Sequence, residues 1–221
     1  MRMGLSELEE DGEEEDDWES EHESSDEDRA RHRAEFDQCV QMILGAVDSE
    51  PTLEIEDRAS TLENLVSEFG NFDDRVDPRQ IIGALLSSRV VSSGFEDFCN
   101  DDDHAHFAEA FAQASGGAWH PTELASRFAE EHDQYILHFE ESGEPVEWWF
   151  KQSSDWISEN FIGQLFSHIE RASDQKIVPL ELEDWGEWIV LPSGVADRLL
   201  EEGILGAVSY THLTLPTTRL V

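Results

Sequence analysis

Residues 135–150 read Tyr-Ile-Leu-His-Phe-Glu-Glu-Ser-Gly-Glu-Pro-Val-Glu-Trp-Trp-Phe, and this stretch decides the fold class. Tyr135, Leu137 and Phe139 alternate with Ile136, His138 and Glu140, a period of two that belongs to a strand. After Glu141-Ser142-Gly143-Glu144 the alternation resumes, with Val146, Trp148 and Phe150 set against Glu147, Trp149 and Lys151. An antiparallel hairpin follows, with Gly143 in the turn and Pro145 at a strand start or an edge.

Working toward the C-terminus, Ile157, Phe161, Ile162, Leu165, Phe166 and Ile169 form one helical face starting near Asp155. Two further strands fit 176–182 and 187–191; the second, Trp188-Ile189-Val190-Leu191, is apolar on both faces and is expected inside a sheet. A last helix starts near Pro192-Ser193. The order strand, strand, helix, strand, strand, helix over 134–207 predicts a four-stranded antiparallel or mixed α+β unit.

Upstream, residues 29–133 read as a helical region. Phe36, Val40, Ile43, Leu44 and Val47 share one helix face, as do Leu62, Leu65, Val66 and Phe69. Asp77-Pro78-Arg79-Gln80 combines a capping acid, a proline at the first helical position and a capping-box Gln ahead of Ile81, Ile82, Leu85, Leu86 and Val90. Asp101 to Asp103 precede a helix with Phe107 and Phe111, and His120-Pro121-Thr122-Glu123 is expected to open another through Leu124, Phe128 and Ala129. The expected fold is α+β, an N-terminal helical half packed on the β-β-α-β-β-α unit.

Both ends stand apart. Residues 1–28 carry 15 acids against Arg2 alone, too polar to bury enough surface to offset ordering, so a disordered acidic arm is expected. Residues 208–221, VSYTHLTLPTTRLV, hold no acid and resemble a translated sequencing adapter. That resemblance implies a non-native tail and a native C-terminus that is missing.

The 221 residues carry 52 Asp plus Glu against 14 Lys plus Arg, a formal charge of −38. Such a chain lacks the basic cluster that phosphate binding requires, so direct nucleic-acid binding is excluded. No window is apolar for the roughly 18–20 residues of a membrane span, and MRMGLSELEEDGEEE contains no signal-like stretch, so a cytoplasmic location is expected. Residues 29–207 alone hold 37 acids and 12 bases, and only Lys151 and Lys176 among the bases are lysines. Acidity spread this widely fits proteins that work in concentrated salt, where a Debye length of about 3 Å at 1 M suppresses self-repulsion. A nucleic-acid mimic would need the carboxylates in a row, an alternative the sequence leaves open. Cys39 and Cys99, 60 residues apart, show no ligand spacing and read as reduced packing residues.

Two segments could carry function. Asp101, Asp103, His104 and His106 place carboxylates and imidazoles close together, a donor set suited to a divalent metal and a metal-dependent hydrolase. In a helix, however, His104 and His106 point about 200° apart and cannot share an ion; in extended chain they can. Trp148, Trp149, Trp156, Trp185 and Trp188 crowd the C-terminal half. Neighbours on a strand face opposite ways, so Trp149, together with Trp185 in a turn between acids, is expected to be exposed; these two and Trp156 are the candidate binding residues. No GxSxG, HExxH, phosphate-loop or GxGxxG motif is present, so no cofactor is assigned. Tyr135 to Leu200 resembles small α+β domains of bacterial proteins, some akin to toxin-immunity proteins; the likeness covers under a third of the chain. The expected function is therefore non-catalytic protein binding of an inhibitor or immunity-like kind, toward a basic partner, with an unmarked enzyme and a nucleic-acid mimic as alternatives.

Overall fold

The computed structural model describes residues 25–96, 98–152, 155–182 and 185–206. Most of the acidic arm and the adapter-like tail lie outside the described residues. In chain order the elements are α1 (Asp26–Val47), α2 (Arg58–Glu68), α3 (Pro78–Leu85), a 3-10 turn (Ser87–Arg89), β1 (Val90–Gly94), α4 (Asp103–Ala114), β2 (Thr122–Ala129), β3 (Gln134–Glu141), β4 (Glu144–Phe150), α5 (Glu159–Ser173), β5 (Gln175–Leu182), β6 (Trp185–Pro192) and α6 (Ser193–Glu201).

The caps explain where helices begin. The Ser25 hydroxyl accepts from the Asp28 amide, and Asp26, Glu27 and Asp28 place negative charge in the first turn of α1. At α3, the Asp77 carboxylate accepts from the Arg79 amide with Pro78 just inside the helix, as the sequence predicts. The Ser158 hydroxyl accepts from the Phe161 amide, which starts α5 three residues beyond the expected Asp155 neighbourhood.

The expected 135–150 hairpin forms, with Leu137 opposite Trp148 and Phe139 opposite Val146. Its turn is the two-residue Ser142-Gly143 pair, both at positive φ (54° and 81°), the twist that matches antiparallel strands.

The α+β class stands, and the strand arrangement differs from expectation. The strands divide into two three-stranded antiparallel sheets, ordered β1-β6-β5 and β2-β3-β4, rather than one four-stranded unit. Each sheet takes one strand from the region expected to be wholly helical. The segment after His120 forms β2, because Leu124, Ser126 and Phe128 also alternate and the ladder to β3 satisfies the backbone that a helix would otherwise satisfy internally. Its register shifts between Thr122 and Ala125, where Glu123 has φ 55°, a β-bulge. Val90, expected on the α3 stripe, instead begins β1 after the helix stops at Leu85.

These pieces stack in four layers. One core joins α1, α2, α3 and α6 to Val178, Leu180, Ile189 and Leu191 on one face of β1-β6-β5. The second core puts α4 and α5 between the opposite face, with Val91, Ile177, Trp188 and Val190, and the inner face of β2-β3-β4, with Leu137, Phe139, Trp148 and Phe150. Strand β6 is central and apolar on both faces because helices cover both sides. No described helix is long and apolar enough to cross a membrane. Cys39 is buried, which pushes its thiol up to about 11, while Cys99 is exposed; both are free thiols.

Candidate functional site

The Asp101–His106 segment straddles the start of α4, and its four candidate ligands diverge. His104 is fully buried. Its ring lies 4.7 Å from Tyr135, 4.8 Å from Phe150, 4.9 Å from Phe161 and 5.4 Å from Phe98. Gln152 donates from Nε2 to the Phe98 carbonyl, which leaves its Oε1 to accept from His104 Nε2 at 2.8 Å. The imidazole is therefore the Nε2–H tautomer, and Nδ1 is buried without a hydrogen-bond partner among the described residues. Burial lowers the His104 pKa, opposed by the Gln152 bond and by Asp103.

The carboxylates serve the backbone. Asp101 Oδ1 accepts from the Phe128 amide at 2.9 Å and its carbonyl accepts from the Ser126 hydroxyl, tying α4's start to β2. Asp103 Oδ2 accepts from the Asn100 amide at 2.7 Å. His106 lines a cleft of about 470 Å³ with Asp102, Glu109, His120 and Glu123, and also borders the smaller groove that Asp103 lines. Among the described residues no group of three or more His, Cys, Asp or Glu side chains is arranged to hold a metal ion. The segment locks α4 to the β2-β3-β4 sheet.

A second polar group, not anticipated from the sequence, joins β3 to α5. Glu141 accepts from Trp119 Nε1 at 3.1 Å and from His168 Nε2 at 3.0 Å. The His168 ring is bounded by Trp148, Phe139 and Trp119 at 5.1, 5.6 and 6.0 Å. With aromatic rings around the imidazole, the pair satisfies polar atoms at the rim of a core.

The tryptophans separate by environment. Trp119, Trp148 and Trp188 are buried, whereas Trp149 is 41% and Trp156 49% exposed. The third expected binding residue, Trp185, has a side chain outside the described residues. Trp149 projects from the outer face of β2-β3-β4, where it pairs across strands with Ile136. Its Nε1 donates to Glu147 Oε1 at 2.6 Å, and the His132 ring meets it edge-on at 5.1 Å. Ala125, Arg127 and Glu147 on the same face are exposed, so no helix among the described residues closes over it. Trp156 lies between β4 and α5 and stacks parallel to Phe95 at 6.4 Å. Phe128, 38% exposed, marks the rim of the same sheet next to Tyr135.

Comparison with protein-family models, with curated proteins and with solved structures finds no match.

Proposed function

We propose that this chain is a non-catalytic protein-binding factor that uses the open outer face of β2-β3-β4, centred on Trp149, against a basic partner. The observation that supports the reading is an indole left 41% exposed on a sheet face that no helix among the described residues covers, within a chain of net charge −38. Large aromatic side chains supply most of the affinity at interfaces, because they bury much area at low entropic cost. The carboxylates around them accelerate encounter with a cationic surface and discourage anionic ones. An inhibitor or immunity-like role is the form of binding we favour, since Asp101, Asp103 and His104 at the start of α4 and Glu141 of β3 are held in structural hydrogen bonds.

The test is affinity capture from a lysate of the source cells at their native salt, with the wild-type chain, Trp149→Ala and, as a control on the opposite layer, Glu201→Ala. The proposal expects one stoichiometric basic protein bound by wild type and Glu201→Ala and lost with Trp149→Ala. Equal capture by all three chains refutes it.

A further inference from the structure

We infer that the outer edge of β1 is a second docking site, which accepts an extended basic peptide from a partner protein as an added strand. β1 is an edge strand: among the described residues its only strand neighbour is β6, with Val90 opposite Ile189, Val91 opposite Trp188 and Ser92 opposite Glu187. In an antiparallel pair alternate amides and carbonyls point away from the neighbour, so one side of Val90–Gly94 carries backbone groups with no strand partner among the described residues, and only the Gly94 carbonyl has a side-chain partner, the Ser93 hydroxyl. Proteins usually guard such an edge with lysine, proline or a covering element. Here the edge reads Val-Val-Ser-Ser-Gly, without charge or proline, and Ser92 and Gly94 are exposed. A side chain at Gly94 would meet nothing within 4 Å, so the end of the edge is open.

Both faces of this edge carry grooves. On the α3 side a cleft of about 760 Å³ begins at Val90 and Ser92 and runs across the sheet past Glu187 to Glu181. On the α4 side a smaller one, about 280 Å³, is lined by Val91, Ser93, Phe98, Asp103, His106 and Phe107. Side chains of an added strand alternate by two, so successive residues would enter the two grooves in turn, the arrangement that gives strand-addition sites their specificity.

Charge chooses the occupant. Arg79, in the larger cleft, forks onto Asp77 through Nε and Nη2 and donates from Nη1 to the Leu180 carbonyl, so its charge is spent within the protein. Glu181 and Glu187 remain, with the Glu187 carboxylate accepting from the Ser92 hydroxyl at 2.8 Å beside the edge. Asp103 supplies the carboxylate of the smaller groove. Arginine or lysine on one face of the added strand therefore meets carboxylates, and small apolar or aromatic residues on the other meet Phe98 and Phe107. Five residues of β1 pair with a core of about five peptide residues, roughly 17 Å of chain.

The inference does not depend on Trp149, which belongs to the other sheet, and the two readings fail separately. The probe is a fluorescein-labelled peptide of alternating arginine and valine, seven residues long, titrated with the full chain and read by fluorescence anisotropy. A version N-methylated at every second amide, with the same charge and side chains, is titrated alongside. Strand addition predicts at least a tenfold weaker Kd for the methylated peptide and for Ser92→Arg, which sets a cation beside Glu187, and a change under twofold for Trp149→Ala. It also predicts that amide hydrogen exchange within 90–94 slows when the unmodified peptide binds to wild type. Equal affinity for the two peptides, or binding without slowed exchange at 90–94, overturns the proposal. The first outcome would mean adsorption to an acidic surface only. Loss of binding with Trp149→Ala would assign the peptide to the other sheet and overturn it as well.

Discussion

Arg89 and Gly116 form a tight junction whose removal has a calculable cost. Arg89 is 8% exposed and has no ion-pair partner among the described residues; its guanidinium donates to the Ala114 carbonyl at 3.2 Å and to the Thr52 carbonyl at 2.9 Å. The charge thus caps the C-terminal end of α4, where the helix dipole favours a cation, and ties it to the loop after α1. Burial lowers the Arg89 pKa, an effect that Glu50 opposes. Gly116, at φ 64°, lets the backbone pass directly over the guanidinium, and an added Cβ would lie 2.4 Å from Arg89 Nη2. Gly116→Ala therefore carries about 1–2 kcal/mol for a left-handed alanine. It also loses one of the two hydrogen bonds to the charged group as the guanidinium is pushed aside, about 1.5–3 kcal/mol. The sum is about 2.5–5 kcal/mol. Arg89→Met leaves two buried carbonyls unpaired and costs about 2–4 kcal/mol. The two effects should not add: in the Arg89→Met background Gly116→Ala should cost only its backbone share, so a double-mutant cycle read by urea denaturation should give a coupling of about 1.5–3 kcal/mol. Additive changes within about 0.5 kcal/mol, or a silent Gly116→Ala, would refute the reasoning.

Other predictions concern pH, salt and caps. Because burial holds the folded His104 below its ordinary pKa, the unfolded chain binds that proton more readily. The His104 contribution to stability is therefore complete above about pH 6.5 and is lost as pH falls toward the lowered folded value. His104→Phe should reduce the slope of stability against pH between 7 and 5 in urea titrations; an unchanged slope contradicts the buried neutral ring. With a net charge of −38, thermal stability should rise as KCl is raised from about 0.1 M to about 1 M, where the Debye length shrinks from about 10 to 3 Å. A Tm that falls with salt would contradict the screening argument. Asp77→Ala removes both the α3 cap and the Arg79 fork and should cost about 1 kcal/mol by chemical denaturation.

What was legible in the sequence follows from how local each signal is. The Asp77-Pro78 start, the Ser142-Gly143 turn and the doubly apolar β6 are each specified by neighbours within a few residues. β2 was not, because Leu124, Phe128 and Ala129 satisfy a helical spacing while Leu124, Ser126 and Phe128 satisfy an alternating one, and the choice is made by β3 across the turn. β1 was hidden by Val90, four residues after Leu86 and so in phase with the helix before it. The division into two sheets depends on α4 and α5 coming between them, which no short window contains. At the candidate site, the acidic run Asp101–Asp103 suggested a solvated helix start, yet His104, Phe107, Ala108 and Phe111 fall at the i, i+3, i+4 and i+7 positions of one buried stripe. That spacing was available and marks His104 as a core residue. The Trp149 side of β4 was legible, since Trp148 and Trp149 must face opposite ways.

In this proposal the two sheets, with α3 and α4 beside β1, supply the binding surfaces, and α1, α2 and α6 support them. Amide hydrogen exchange over the whole chain, with and without the protein captured through Trp149, tests it most directly. The account predicts slowed exchange on β2, β3 and β4 around Trp149, extending to 90–94 if the same partner also supplies the added strand. Protection confined to α1, α2 and α6, or none at all, would contradict it.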